Sequence, residues 1–149
     1  MAPSDRHRHT IALLLLFGLA GCEMDSLPTA PSDLTRGVSI YEHANYLGDS
    51  ALLTTSYTDL SDFKGPCEHS DSDGNGNVSY SYDWNDCVSS LKVAQGWRAV
   101  IYRDTDYRGQ TLEVTADAAN LQLVAGSCSH DGLNDCVTSI KVIAPGQPF

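Results

Sequence analysis

The sequence predicts an all-β domain, two Greek-key motifs packed into one β-sandwich. Three observations predict it. A six-residue stretch occurs twice, as Asn85-Asp86-Cys87-Val88-Ser89-Ser90 and as Asn134-Asp135-Cys136-Val137-Thr138-Ser139. A second pattern (Tyr, four residues, Tyr, one residue, Gly) also occurs twice, from Tyr41 to Gly48 and from Tyr102 to Gly109. Between these, short runs of β-branched residues alternate with glycines and Asp/Asn clusters, the mark of strands and turns.

Residues 1–21 do not read as part of that domain. Arg6 and Arg8 make a basic start, and Ile11 to Phe17 is an apolar run. The run is too short to span a bilayer, which needs about 20 apolar residues, so it reads as an export signal. It ends in Leu19-Ala20-Gly21-Cys22, which resembles a bacterial lipobox. The resemblance implies cleavage before Cys22 and lipidation of its thiol. The chain would then be exported and held on a membrane face by the lipid. Residues 22–36 are rich in Ser, Pro, Thr and Asp and read as a solvated tether. The folded domain is expected over 37–145, with motif one at 37–95 and motif two at 96–145.

Strands are expected in order at Val38–Tyr41, Ser50–Thr55 and Val88–Val93, then at Arg98–Tyr102, Gln110–Thr115 and Val137–Ile143. Ala116 to Leu123 has room for one helical turn in a loop. Four strands per half complete the Greek keys. The second half is shorter by an insertion that the first half carries between Cys67 and Cys87.

Apart from Cys22 there are four cysteines: Cys67, Cys87, Cys128 and Cys136. An even count in an exported domain reads as disulfides, with three possible connectivities. The repeat suggests Cys67–Cys87 and Cys128–Cys136, one bridge in each half. The net charge of −10 disfavours nucleic acid and anionic lipid as partners and suits cations.

The paired motifs, present in both halves in the same order, resemble a βγ-crystallin domain of the microbial calcium-binding type. The resemblance covers Gly37 to Pro145. It implies two calcium sites, each built from the Asn-Asp loop of one half and the tyrosine hairpin of the other. Calcium takes ~6–8 oxygen ligands from carboxylates, carbonyls, hydroxyls and water, which no single short loop supplies. Mapped by resemblance, Asn85, Asp86 and Ser89 face Arg103, and Asn134, Asp135 and Thr138 face Glu42. The two aspartates and two hydroxyls are expected as direct ligands. Glu42 and Arg103 would offer backbone carbonyls. Asn85 and Asn134, with Ser90 and Ser139, are expected to hold the loops. Gly48 and Gly109 allow the hairpin return, while the tyrosines pack over it.

The insertion holds a weaker candidate. Asp71-Ser72-Asp73-Gly74-Asn75-Gly76 matches the start of an EF-hand loop, with Asp71, Asp73 and Asn75 as oxygen donors. Its twelfth position is Tyr82 rather than a bidentate Glu, so it reads more readily as a hairpin tip than as a weak calcium loop. Catalytic motifs are absent: there is no His-Glu-x-x-His, no Gly-x-Ser-x-Gly and no Gly-rich phosphate loop. His69 and His130 each follow a cysteine, but disulfides would remove those sulfurs from any zinc site. The expected molecular act is calcium binding that stabilises the fold, not catalysis. The alternative is an exported inhibitor of metalloproteases, with the bridged span Glu68 to Asp86 entering a cleft. No residue singles out a protein partner.

Overall fold

The computed structural model describes residues 34–123 and 132–148. The expected export signal, Cys22, most of the expected tether, Cys128 and His130 lie outside the described residues. Eight strands run in chain order: β1 (Val38–His43), β2 (Leu47–Leu53), β3 (Lys64–Ser72), β4 (Val78–Asp83), β5 (Ser90–Val93), β6 (Arg98–Asp104), β7 (Arg108–Val114) and β8 (Ser139–Ile143). They form two antiparallel sheets of the same design, β2-β1-β5 and β7-β6-β8, and a separate β3-β4 hairpin. The fold is all-β, as the repeats predict. The expected turn near the end of Ala116 to Leu123 is a 3-10 turn at Leu121–Leu123.

Alternation along the strands decides what the sheets bury. Val38 and Ile40 of β1, and Ala99 and Ile101 of β6, are fully buried, while Ser39 and Tyr41, which alternate with the β1 pair, are half-buried on the other face. These residues meet Leu53, Leu91, Val137 and Ile140 in one core cluster drawn from both halves. Each large side chain buried there contributes roughly 1.5–3 kcal/mol.

The two halves also exchange backbone. Tyr57 from the first half pairs antiparallel with Ile140 of β8, and Ala118 from the second pairs with Leu91 of β5. Both pairs are closed by reciprocal N–H···O bonds of 2.8 and 3.0 Å. So the crossing element of each Greek key completes its neighbour's sheet, and neither half is a free-standing unit. Truncating Ile140 to Ala would cost about 2–5 kcal/mol, because it opens the shared core.

Two expectations are corrected. The first half has five strands and the second three among the described residues, where four in each were expected. The crossing elements pair at one residue only, too short to be strands, while the insertion forms a full hairpin of its own. Strands β5 and β8 also start two residues late, at Ser90 and Ser139. Before them the backbone turns across to the other half: Asp135 N–H donates to the Val88 carbonyl at 3.3 Å, and Asp86 N–H to that of Val137 at 3.2 Å.

Candidate metal centre

The tyrosine hairpins set the first wall of each site. In β1–β2 the register slips between Tyr41 and His43, and in β6–β7 between Tyr102 and Asp104. Asn45, Tyr46, Asp106 and Tyr107 take left-handed φ angles of 59°, 63°, 56° and 59°. This strain is offset by stacking and bonding. The ring pairs Tyr41–Tyr46 and Tyr102–Tyr107 both sit 5.6 Å apart, and Lys92 and Lys141 approach the Tyr46 and Tyr107 rings at 4.7 and 4.9 Å. Gly109 closes the second hairpin at φ +76°, where an added Cβ would lie 2.4 Å from Asp104 Oδ2.

Serine hydroxyls lock each hairpin to its loop. Ser90 Oγ donates to the His43 carbonyl at 2.6 Å and accepts from Tyr46 N–H at 3.0 Å. Ser139 repeats the arrangement with the Asp104 carbonyl at 2.6 Å and Tyr107 N–H at 3.2 Å. Both serines are buried and fully partnered, as the loop-holding role requires.

Ser89 is different. Its backbone N–H donates to the Tyr41 carbonyl at 3.0 Å. Its hydroxyl lies 2.6 Å from the Glu42 carbonyl and 2.8 Å from Asp135 Oδ1. A hydroxyl has one proton, and both of these neighbours are acceptors. Three oxygens therefore crowd together with one hydrogen among them. The second site is looser. Thr138 N–H donates to the Tyr102 carbonyl at 2.9 Å, and Thr138 Oγ1 to Asp86 Oδ1 at 3.3 Å.

The structure brings together only part of the expected grouping. Asp135 does reach the Glu42 side. The hydroxyls, however, stay with their own hairpins: Ser89 joins Glu42 and Asp135, and Thr138 joins the Tyr102 strand and Asp86. The cause is in the loop. Asp86 and Asp135 hold φ of 48° and 50° and swing their carboxylates to the opposite half, while three residues later the chain has rejoined its own sheet. Arg103 itself points its guanidinium at Asp104, Nε to Oδ1 at 2.9 Å, leaving only its carbonyl for a site role.

The asparagines orient the acids. Asn85 Nδ2 donates to Asp86 Oδ2 at 3.1 Å and Asn134 Nδ2 to Asp135 Oδ2 at 2.6 Å. Asn85 Oδ1 is buried without a hydrogen-bond partner. Partial burial raises the Asp86 carboxyl above the ordinary carboxylate pKa, with Thr138 and Asn85 opposing that shift. Asp86, Ser89 and Asp135 line one cleft of about 490 Å³ with Glu42 and Glu68.

Asp83 is a site-supporting residue that sequence reasoning missed. It is 3% exposed, and its carboxylate accepts from Asn85 N–H at 3.0 Å and from Ser81 Oγ at 3.1 Å. His69 Nε2 lies 3.1 Å from Asp83 Oδ1 and 3.0 Å from the Asn85 carbonyl. The signal was available: an aspartate two residues before a turn amide is a common side-chain cap. The Cys67–Cys87 disulfide joins the same hairpin to the same loop. Cys136 is also disulfide-bonded; Cys128, its expected partner, lies outside the described residues. Among the described residues, no three His, Cys, Asp or Glu side chains form a metal cluster. Any ion here must rely on carbonyl and hydroxyl oxygens as well as carboxylates, which suits a hard cation better than zinc.

At the tip of the insertion, Asp73 Oδ1 accepts from the amides of Asn75 and Asn77 at 2.7 and 3.2 Å, and Oδ2 from Asn77 Nδ2 at 2.7 Å. Its lone pairs serve the turn of an exposed hairpin, and Asp71 and Asn75 flank it on the same tip.

The model of peptidase inhibitor family I36 matches residues 35–115. The development-specific protein S homolog of Myxococcus xanthus is 38% identical over 65 residues, which is 43% of this chain and 32% of that protein. Development-specific protein S of the same organism is 37% identical over the same length. The chain spans about a third of the length of these curated relatives. Among solved structures, one from a study of the evolution of the eye lens βγ-crystallin domain fold superposes with a TM-score of 0.52 at 24% identity, covering 74% of this chain and 89% of that one. A βγ-crystallin domain from Flavobacterium johnsoniae gives 0.49 at 28% identity, covering 74% and 98%. The paired Greek keys are those of a βγ-crystallin-like domain.

Proposed function

This chain belongs to peptidase inhibitor family I36, and within it we propose a calcium-binding domain whose fold the ion stabilises. The observation that carries the reading is Ser89, one hydroxyl proton set between the Glu42 carbonyl and the Asp135 carboxylate. A cation there would be met by oxygens already gathered from two halves of the chain. Glu42, Ser89 and Asp135 would hold one ion. Asp86, Thr138 and the carbonyl of Arg103 would hold a second, next to the orphaned Asn85 Oδ1. Calcium, when bound, supplies the positive charge that these acceptors lack. The protein's own contribution is to hold the acids across the interface, with Asn85 and Asn134 fixing their outer oxygens.

The test is a melting curve with calcium and with a chelator. A ligand at about 100 times its dissociation constant adds ~2.7 kcal/mol to stability. The midpoint is expected to rise by several degrees in millimolar calcium; an unchanged midpoint would sink the reading.

A second reading, inhibition of an exported peptidase, is favoured by the family match and by the disulfide that pins the β3–β4 hairpin. Inhibition assays against metallo- and serine peptidases test it directly. Export and lipid anchoring at Cys22 belong to the same proposal. Radiolabelled palmitate should enter the wild-type chain in a bacterial host and not Cys22→Ser.

A further inference from the structure

The β3–β4 hairpin carries apolar surface that the fold does not use. Every residue from Ser70 to Tyr82 is exposed, on both faces of the ribbon. Among the described residues five large apolar side chains stand out, and three of them are on β4: Val78 at 50%, Tyr80 at 61% and Tyr82 at 54%. They alternate with serines, so all three share one face. Their cross-strand partners on that face are Ser72, Ser70 and Glu68. Tyr80 therefore stands opposite a small hydroxyl side chain and Tyr82 opposite a carboxylate. Tyr82 OH donates to Glu68, which fixes its ring.

The hairpin is built to hold this face still. The Cys67–Cys87 disulfide closes its base. Asp73 ties its tip through Asn75 and Asn77. Apart from His69 and Val78, its composition beyond Glu68 is Ser, Asp, Gly, Asn and Tyr, close to the Tyr, Ser, Gly and Asn that antibody paratopes use for rigid aromatic contact with adaptable hydrogen bonds. Its charge is one-sided: Glu68 lies on the tyrosine face, Asp71 on the opposite face and Asp73 at the tip, and Lys64 at the foot is the only Lys or Arg of the hairpin.

We propose that the tyrosine face of this hairpin is a docking surface for a cationic protein segment, with Lys or Arg side chains laid over Tyr80 and Tyr82 and paired to Glu68, while Asp71 and Asp73 add to the negative potential of the ribbon. Cations over exposed rings and carboxylates beside them are mutually reinforcing contacts. Pre-organisation lowers the entropy lost when such a segment binds. Tyr80 and Tyr82 are outside the cleft that holds Asp86, Ser89 and Asp135, although Glu68 borders both, and the proposal does not depend on the chain inhibiting a peptidase.

The probe is a short fluorescein-labelled peptide alternating Arg and Thr, with a Glu–Thr peptide as its charge reversal. Binding is read by anisotropy for the wild type and for the double variant Tyr80→Ser, Tyr82→Ser, whose net charge is unchanged. The Arg peptide is expected to bind the wild type and to lose about tenfold in affinity for the variant. The Glu peptide should not bind, and the melting midpoint should stay put. Amide shifts on peptide addition to the wild type should fall on residues 68–82, a readout independent of the variant. Equal binding by variant and wild type would mean diffuse acidity and overturn the proposal. So would no binding, or amide shifts elsewhere. Tyrosine-dependent sedimentation with insoluble chitin or cellulose, without peptide binding, would overturn it in favour of a glycan platform.

Discussion

The hydroxyl of Ser89 lies 2.8 Å from Asp135 Oδ1, although the two residues are 46 apart in sequence and come from opposite halves of the domain. Its counterpart, Thr138 with Asp86, crosses the interface in the other direction. Each loop thus contributes a carboxylate to one site and a hydroxyl to the other. The loops are also tied to each other by the bonds from Asp86 N–H to Val137 and from Asp135 N–H to Val88. Ordering either loop orders part of both sites.

The first prediction is that the two proposed calcium sites are positively coupled. Asp135→Asn removes the carboxylate of the Ser89 site, yet it should also weaken binding at the Thr138 site, by a factor of about 5–10 or more within the usual range of coupling energies. The wild type should titrate with a Hill coefficient above one. Calorimetry on the wild type, Asp135→Asn and Asp86→Asn decides it. Two independent sites, with the remaining one unaltered in each variant, would refute the coupling while leaving calcium binding intact.

Reduction of the Cys67–Cys87 bridge should weaken calcium binding. Cys87 sits between Asp86 and Ser89, so the bridge holds a loop that supplies both sites. Freed, that loop must be ordered by the ion, and the affinity falls. The bridge should also stabilise the apo fold by about 2–4 kcal/mol through the unfolded state. Titrating the wild type with and without reductant, and the double variant Cys67→Ser, Cys87→Ser, separates the two effects. Equal affinity in all three would remove the disulfide from the binding argument.

Acid should loosen the hairpin tip before the core. The Asp73 carboxyl is held below the ordinary aspartate pKa, first by the Asn77 side chain and then by the Asn75 amide. A folded pKa below the unfolded one means that stabilisation is present above the unfolded value, about 3.9, and lost as pH falls through the folded value. Amide exchange of Asn75 and Asn77, corrected for its intrinsic pH dependence, should show protection at neutral pH that disappears in that acid window. Asp73→Asn should remove the pH dependence. Protection that persists unchanged in strong acid would show that the carboxylate is not what holds the turn.

The duplicated motifs made most of this legible. Both hairpins, both loops, the paired Greek keys and the Cys67–Cys87 bridge follow from repeats that are visible letter by letter. The hydroxyl partners were not legible. Asp86 and Ser89 are three residues apart and look like one ligand group; only the left-handed φ at Asp86 sends them to different halves, and dihedrals are not written in a sequence. The β3–β4 ribbon was also under-read. Its Gly74 and Gly76 tip carries a strong turn signal, while the alternation of Val78, Tyr80 and Tyr82 with serines is a strand signal of ordinary strength.

Adjacent serines in the first loop should fail in opposite ways. Ser90 Oγ bridges the His43 carbonyl and Tyr46 N–H, and Tyr46 is held at a left-handed φ. Ser90→Ala leaves both groups without that partner, at a cost of roughly 1–3 kcal/mol to the apo fold. Calcium should still raise the midpoint of that variant, because no direct ligand is lost. Ser89→Ala removes the hydroxyl that faces two acceptors. Its apo stability should change much less, since one of the Ser89 contacts is oxygen against oxygen with no proton between. The calcium-induced shift should fall, and the Ser89 site should weaken in a calorimetric titration. Ser89→Thr keeps the hydroxyl and should restore most of the response, as Thr138 does in the second loop. If Ser89→Ala and Ser90→Ala instead lose the same apo stability and the same calcium response, the two hydroxyls share one structural task, and the distinction between ligand and lock drawn at this loop is wrong.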